Sequence, residues 1–144
     1  MTLAGKVAMI TGAAGSLGKS VADAFISAGA KLILVDLDEG AMRRVYGDSS
    51  AHVYAAANLT DAQASRAALT AAIGKAGRVD ALCNIAGGFR MGPAVHETPE
   101  DLWKLMMDMN AGTLLHACAA VVPAMLAQGG GRIVNVGAGA GQKG

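Results

Sequence analysis

The stretch TGAAGSLG at positions 11–18 decides the fold that we predict for this chain. It follows an apolar run at residues 7–10 and opens a segment with the apolar spacing of a helix. A glycine-rich turn in this position presents backbone N–H groups of the helix N-terminus to an anion, and the helix dipole adds to the attraction. The stretch therefore predicts a loop that holds the pyrophosphate of a dinucleotide.

Short β-branched runs alternate along the chain with alanine-rich stretches of helical length, a rhythm that is typical of βαβ units and a parallel sheet. The apolar residues of the β-branched runs are continuous rather than alternating, as expected for strands that helices cover on both faces. We predict an α/β fold: a Rossmann-type, doubly wound parallel sheet in three α/β/α layers, with residues 1–144 as one dinucleotide-binding domain. The five predicted strands are residues 7–10, 31–35, 52–54, 79–83 and 132–136.

The last predicted strand is followed by a glycine-rich tail at residues 137–144 that begins no new element. A Rossmann sheet usually has a sixth strand and further helices. We therefore expect a fold that is truncated after its fifth strand.

Apolar spacing predicts two of the helices. One occupies residues 61–76, with Asp61 as an acid in its first turn and Gly77 near its end. The other runs from about residue 16 to residue 28, where Gly29 ends it. Its expected inner face consists of Leu17, Val21, Ala24, Phe25 and Ala28.

A third, longer helix is predicted over residues 99–128. Thr98 and Asp101 have the spacing of a capping box, and Pro99 suits the first helical position. The segment is apolar nearly all round, although His116 and Pro123 interrupt it, and no run approaches the roughly 18 apolar residues that span a bilayer. We interpret it as a buried helix.

Composition and charge exclude several classes of function. The 144 residues are 53% hydrophobic and have a net charge of +1. The charged residues are scattered along the chain and form no basic patch, which argues against a nucleic-acid partner. The two cysteines and three histidines form no cluster with metal-ligand spacing, so no metal site is predicted. Without a signal-peptide pattern, the expected location is the cytoplasm.

Asp36 ends the second predicted strand and lies 24 residues after Gly12. An acid at this distance accepts hydrogen bonds from the adenosine ribose hydroxyls, and its charge repels a 2′-phosphate. No arginine follows it directly, because the next residues are Leu37, Asp38 and Glu39. The position favours NAD over NADP, while NADP with a distant basic partner and a merely solvated acid stay open.

The order of these features resembles the short-chain dehydrogenase/reductase family of the classical type. Its glycine motif TGxxxGxG is matched by Thr11, Gly12 and Gly18, whereas Ser16 replaces the middle glycine and Gly15 lies one position earlier. The Ser16 hydroxyl is free to donate to a phosphate or to cap the helix. Further along the chain, Asn58-Leu59 resembles the family's Asp-hydrophobic pair, the sequence NIAG at residues 84–87 its NNAG, and Asn110 its active-site asparagine.

The resemblance implies an oxidoreductase that transfers hydride between a nicotinamide cofactor and a small alcohol or carbonyl compound. It assigns Asn110 to a water-linked proton relay, and it implies a homo-oligomer, a dimer or tetramer, that forms through helix 99–128. The positions that it places at the cofactor are Gly12, Gly15, Ser16, Leu17, Gly18, Asp36, Leu37, Asn58, Leu59, Asn84, Ala86 and Gly87.

The catalytic end of the family pattern is different here. Two small hydroxyl residues, the second of them catalytic, follow the family's fifth strand, but Gly137 and Ala138 occupy those positions. The family's YxxxK would lie beyond Gly144, and we expect Tyr46 and Tyr54 to lie far from the site. The chain by itself is thus expected to be inactive. A non-catalytic dinucleotide-binding sensor or scaffold is one alternative, and a flavodoxin-like fold for another nucleotide is a weaker one.

Overall fold

A computed structural model of the chain describes residues 2–139 as a parallel sheet with helices on both faces. The strands are β1 (Val7–Thr11), β2 (Lys31–Asp36), β3 (Val53–Ala56), β4 (Ala81–Asn84) and β5 (Arg132–Asn135). The helices are α1 (Ser16–Ser27), α2 (Glu39–Tyr46), α3 (Ala62–Ala76), α4 (Glu100–Met107) and α5 (Thr113–Ala127), with a 3₁₀ turn at Val95–Glu97 and a π-helical turn at Asp108–Gly112.

The strand order β3-β2-β1-β4-β5 is that of the first five strands of a Rossmann sheet, and every pairing is parallel. The apolar core has two parts because successive side chains of a strand point to opposite faces. One part contains Met9 and Val35 and packs against α3 and α5. The other contains Ile10 and Leu34 and packs against α1 and α2. The predicted doubly wound, three-layer fold is confirmed.

Helix α1 has the predicted bounds within one residue, but its predicted inner face is only partly right. The buried residues are Gly18 and Ala22, with Val21 and Phe25 partly buried, whereas Leu17 is 50% exposed. The side of α1 that contains Gly18 faces the core, because Gly18 lies against the turn after β1. Hydrophobicity alone could not show that the closest approach is made by a residue without a side chain.

Helix α3 begins and ends almost where the sequence predicts. Asp61 is the N-cap residue and not a first-turn acid: its side chain accepts from the backbone N–H of Ala64 at 2.9 Å. Gly77 follows the helix in the left-handed conformation, with φ of 83°.

The long helix is one rod from Glu100 to Ala127, as predicted, but it lacks the predicted capping box. The Thr98 hydroxyl donates to the Ala94 carbonyl at 3.4 Å, and Pro99 occupies the N-cap position without a side-chain hydrogen bond. The preceding 3₁₀ turn engages Thr98 first. By length and composition alone, the rod is apolar enough to span a membrane. In this fold its inner side packs on the sheet and α3, with Ala117 and Val121 fully buried.

Strand β5 departs from the expectation that helices cover every strand. Its four residues are all exposed, and Ile133 and Val134 are 40% and 53% exposed. Within residues 2–139, β5 is the outer strand of the sheet and pairs only with β4.

Asp80 joins three strands at the amino edge of the sheet. Its carboxylate accepts from the Val7 backbone N–H at 2.9 Å, the Lys6 ammonium at 3.2 Å and the Arg78 guanidinium at 2.6 and 2.8 Å. Its backbone carbonyl accepts from the N–H of Arg132 at 2.9 Å. The hydrogen bonds from Arg78, together with those from Val7 and Lys6, lower the pKa of Asp80 from 3.8 to about 2.

We predict that Asp80→Asn lowers the free energy of unfolding by about 2 kcal/mol at pH 7, the value of a pKa shift of this size. A carboxyl group with a lowered folded-state pKa stabilises the fold above its unfolded pKa. The difference between wild type and variant should therefore shrink as the pH falls from about 4 to about 2. Urea unfolding at several pH values measures it.

The matched control is Asp23→Asn, which removes the exposed Lys19–Asp23 pair of α1 and should cost less than about 1 kcal/mol. Equal losses from both variants, or a difference for Asp80→Asn that does not change with pH, would contradict the assigned role.

Candidate functional site

A cleft of 650 Å³ opens at the carboxyl ends of β1, β2 and β4. In open α/β sheets this edge, where the strand order reverses, is where ligands bind. All the predicted cofactor positions except Asn84 line the cleft: Gly12, Gly15, Ser16, Leu17, Gly18, Asp36, Leu37, Asn58, Leu59, Ala86 and Gly87. A smaller cavity of 460 Å³ lies at the opposite edge beside Lys6 and Asp80, away from these positions.

The glycines of the first loop are required by close backbone contacts. Gly12 has φ of 66°, and a Cβ there would lie 3.1 Å from the Cα and N of Ala86. A Cβ on Gly18 would overlap the Gly12 carbonyl oxygen and lie 2.9 Å from the Ala13 Cα. The two glycines thus let the loop, the start of α1 and the turn after β4 touch one another.

The start of α1 leaves three backbone donors free. Within residues 2–139, the N–H groups of Ser16, Leu17 and Gly18 have no backbone or side-chain acceptor, and that of Lys19 is the first to pair, with Gly15 O at 2.8 Å. Gly15 is the N-cap residue, and no side chain caps the helix. The alternative that Ser16 caps the helix is therefore wrong. These free donors beside the cleft suit an anion with several oxygens.

Asp36 lies at the carboxyl end of β2 and is partly engaged by the loop. Its Oδ2 accepts from the Ala14 N–H at 2.9 Å and its Oδ1 from the Leu37 N–H at 2.7 Å. A carboxylate has about four acceptor sites, so two remain for a ligand. Asp36 thus orders the loop and still presents negative charge to the cleft.

The arginines of α2 are already paired with carboxylates. Arg43 binds Glu39 at 2.6 Å and Asp48 at 2.7 Å, and Arg44 lies 3.5 Å from Asp38. These pairs reduce the positive charge that the segment after Asp36 could offer to a phosphate.

The loop at Asn58 and Leu59 is held by contacts that the sequence did not reveal. Asn58 Oδ1 accepts from the backbone N–H and the hydroxyl of Thr60, at 3.1 and 2.8 Å, so its free donors are on Nδ2. Leu59 is buried, and its carbonyl oxygen lies 2.8 Å from His116 Nδ1 on α5. His116, isolated in the sequence, thus ties this loop to the long helix.

Asn84 is the exception among the predicted positions. Its side chain is buried, and its Nδ2 donates to Asn135 Oδ1 at 2.9 Å and to Cys118 Sγ at 3.6 Å. It links β4 to β5 and α5, and it does not line the cleft.

Thr11 connects the two loops that the glycine contacts bring together. Its Oγ1 accepts from the N–H groups of Ile85 and Ala86, each at 3.0 Å, and donates to the Cys83 carbonyl at 3.4 Å. The first residue of the glycine stretch thereby fixes the turn after β4, where small residues allow close approach.

Asn110 lies in the π-helical turn and is bonded wholly to backbone. Its Nδ2 donates to the carbonyls of Gly88 and Met106 at 3.0 and 2.9 Å, and its Oδ1 accepts from the Gly88 N–H at 3.0 Å. A Cβ on Gly87 would lie 2.7 Å from that Oδ1. The side chain therefore holds the turn after β4 against the long helix.

Tyr46 corrects the expectation that both tyrosines lie far from the site. Its hydroxyl donates to the Ala13 carbonyl in the first loop at 2.7 Å. Tyr54 does lie outside the cleft, where its hydroxyl donates to Gly47 O at 2.8 Å. Among residues 2–139, no group of three potential metal ligands occurs.

A model for the short chain dehydrogenase family matches residues 6–144. The chain belongs to the short-chain dehydrogenase family. The D-threitol dehydrogenase of Mycolicibacterium smegmatis is 39% identical over 138 residues, which cover 93% of this chain and 53% of the relative. The galactitol 2-dehydrogenase (L-tagatose-forming) of Cereibacter sphaeroides is 38% identical over 137 residues, covering 94% and 53%.

A solved structure shows the same architecture. The crystal structure of gox2181 has a TM-score of 0.92 and 28% identity, and the match covers 98% of this chain and 56% of that chain. This short-chain dehydrogenase chain spans about half the length of the curated relatives it matches.

The segment after β5 lacks the two small hydroxyl residues of the dehydrogenase pattern. Gly137 and Ala138 are both exposed, and neither has a hydroxyl group. Residues 140–144 lie outside the described part of the chain, as does the predicted position of YxxxK beyond them.

Proposed function

We propose that the whole protein is an NAD-dependent oxidoreductase that interconverts an alcohol and a ketone or aldehyde. The observation that carries the proposal is the trio of unpaired N–H groups at Ser16, Leu17 and Gly18, beside a cleft that also contains Asp36. When bound, a nicotinamide dinucleotide supplies the hydride chemistry. The chain's own part is to bind and orient it.

The residues of the cleft fit such a group. The N-terminus of α1 would hold the pyrophosphate, and Asp36 would accept from the adenosine ribose hydroxyls. Asn58 would contact the adenine through Nδ2. Ala86 and Gly87 would leave room for the second ribose because they have small side chains or none. Their turn is held by Thr11 at the Ala86 N–H and by Asn110 at Gly88.

The preference for NAD is supported by charge. A 2′-phosphate would meet the carboxylate of Asp36, while the nearest following arginines are paired with Glu39, Asp48 and Asp38. Repulsion without a compensating cation disfavours NADP.

The names of two relatives support a proposal for the substrate class. Both names refer to polyols, D-threitol and galactitol. We propose a small alcohol of this class as the substrate. Asn110 would take part in the water-linked proton relay that the family resemblance implies, held beside the turn at Gly88 by its backbone hydrogen bonds.

The protein expressed from its whole coding sequence should reduce NAD with a polyol as substrate and oxidise NADH with the matching ketose. The absorbance of the reduced nicotinamide measures both directions. Ala138→Ser should raise the rate, because it places a hydroxyl where the family has one.

If the protein binds NAD but turns over no alcohol or ketone, and Ala138→Ser does not change this, the proposal is wrong. The outcome would favour the non-catalytic binding module, for which Ala138 is the supporting observation.

Asp36→Ala should weaken NAD binding about tenfold or more, because hydrogen bonds to a charged group are lost. The variant should also show a smaller preference for NAD over NADP. Calorimetric titration of both cofactors measures it. Asp23→Ala is the matched control, because Asp23 is an exposed carboxylate of α1 that pairs with Lys19 and lies outside the cleft. Equal changes in the two cofactor affinities would show that Asp36 is not the ribose ligand.

We further propose a cytoplasmic homo-oligomer, a dimer or tetramer, that forms through the long helix. Large apolar side chains of the helix are exposed: Trp103 by 61%, Leu115 by 63% and Leu126 by 74%. Exposed large apolar side chains along one helix are the feature that supports an interaction site there. Both cysteines are free thiols, which suits a reducing compartment.

Leu115→Glu should shift the whole protein toward the monomer, because it places a charge in the proposed interface. Sedimentation velocity measures the change. Ile26→Glu on α1, which is 39% exposed in the opposite layer, should leave the assembly unchanged. An oligomer that survives Leu115→Glu would exclude this part of the helix from the interface.

A further inference from the structure

The first loop is fixed by four hydrogen bonds that do not belong to helix α1. Ala13 N–H donates to Val35 O at 3.1 Å, Ala14 N–H to Asp36 at 2.9 Å, and Gly15 N–H to Gly12 O at 3.1 Å. The fourth bond runs from the Tyr46 hydroxyl to the Ala13 carbonyl at 2.7 Å. It is the one contact of the four that comes from α2.

The Ala13 carbonyl is also the oxygen that an extended α1 would use. In an α-helix each N–H donates to the carbonyl four residues earlier, so Ala13 O is the regular acceptor for Leu17 N–H. That bond is not made. Ala13 is fully buried, and a buried carbonyl without a donor would be costly, so the Tyr46 hydroxyl supplies the missing partner.

We propose that Tyr46 is a positioning residue for the dinucleotide: by engaging Ala13 O, it keeps the helix from beginning early and leaves Leu17 N–H free for the pyrophosphate. The inference rests on the proposed dinucleotide site and extends it to a residue outside the cleft. Without the hydroxyl, Ala13 O lacks a donor, and its regular helical partner is Leu17 N–H. Their pairing would remove a donor from the anion site.

The end of α2 is rigid enough for this role. Met42, one turn before Tyr46, is fully buried against the sheet, and Tyr46 itself packs against the same core. The next residue, Gly47, ends the helix and donates its backbone N–H to the Arg43 carbonyl at 2.8 Å. The Tyr46 hydroxyl therefore meets the loop from a fixed support.

The hydroxyl also remains a donor over the working pH range. Burial, with the nearby charges of Asp23 and Asp36, raises the pKa of Tyr46 to about 12. A phenol with so high a pKa stays protonated at neutral pH, and the loop keeps its contact.

Tyr46→Phe, made in the whole protein, tests the proposal by calorimetry with NAD, ADP-ribose and adenosine. The dissociation constants of NAD and ADP-ribose, which contain a pyrophosphate, should rise about fivefold, the effect of one neutral hydrogen bond. That of adenosine, which lacks phosphate, should change less than about twofold. Tyr54→Phe is the matched control, because it also removes a bond from a hydroxyl to a backbone carbonyl and should leave all three constants unchanged.

Hydrogen exchange gives a second measure that needs no ligand. In the wild type, the Leu17 amide should exchange faster than that of Lys19, which is bonded to Gly15 O. In Tyr46→Phe the Leu17 amide should become slower as it pairs with Ala13 O. A Leu17 amide that is as protected as Lys19 in the wild type, or unchanged by the substitution, would overturn the proposal.

Two binding outcomes overturn it as well. One is a Tyr46→Phe variant that binds NAD like the wild type, and the other is a variant that loses adenosine and NAD equally, which indicates general loosening of the fold. A wild-type protein that binds neither NAD nor ADP-ribose would instead remove the proposed dinucleotide site itself, and the inference with it.

Discussion

The first turn of α1 lies directly on the turn that follows β1, and no side chain fits between them. A Cβ on Gly18 would overlap the carbonyl oxygen of Gly12, and one on Gly12 would press on Ala86 in the neighbouring loop. Because backbone meets backbone here, the helix starts at the level of the strand ends, and its first N–H groups reach the cleft. The depth of the cleft and the spacing of the loops around it depend on this contact.

Side chains from distant segments then hold the loops at that edge. Thr11 binds the turn after β4 from one side and Asn110 binds it from the other, while His116 holds the loop at Leu59. Each of these side chains bonds to main-chain groups that regular secondary structure leaves unpaired. Buried backbone groups must find partners, so polar residues next to a cleft are divided between support and ligand binding. Asp36 has both roles at once.

The sequence was sufficient where local pattern decides the structure. Strand runs, helix periodicity and the glycine stretch act over a few residues, and they predicted the sheet, most helix bounds and nearly all of the cleft. The errors concern contacts between distant residues. Nothing near Tyr46 indicates that its hydroxyl reaches Ala13, 33 positions earlier. Asn84 has the spacing of a cofactor residue, yet its partner is Asn135 on the next strand. Leu17 suited an inner face by hydropathy, but a glycine occupies that face.

The π-helical turn at Asp108–Gly112 has a consequence for the whole long helix. Such a turn accommodates one extra residue, and each residue of a helix advances it by about 100°. The parts before and after it therefore do not follow the spacing of one continuous α-helix: α5 buries Thr113 and Ala117, whereas α4 buries no residue fully. Asn110 lies in this π-helical turn and also bonds to Gly88. The same five residues therefore set both the rotation of α5 relative to the sheet and the position of the turn at Gly88.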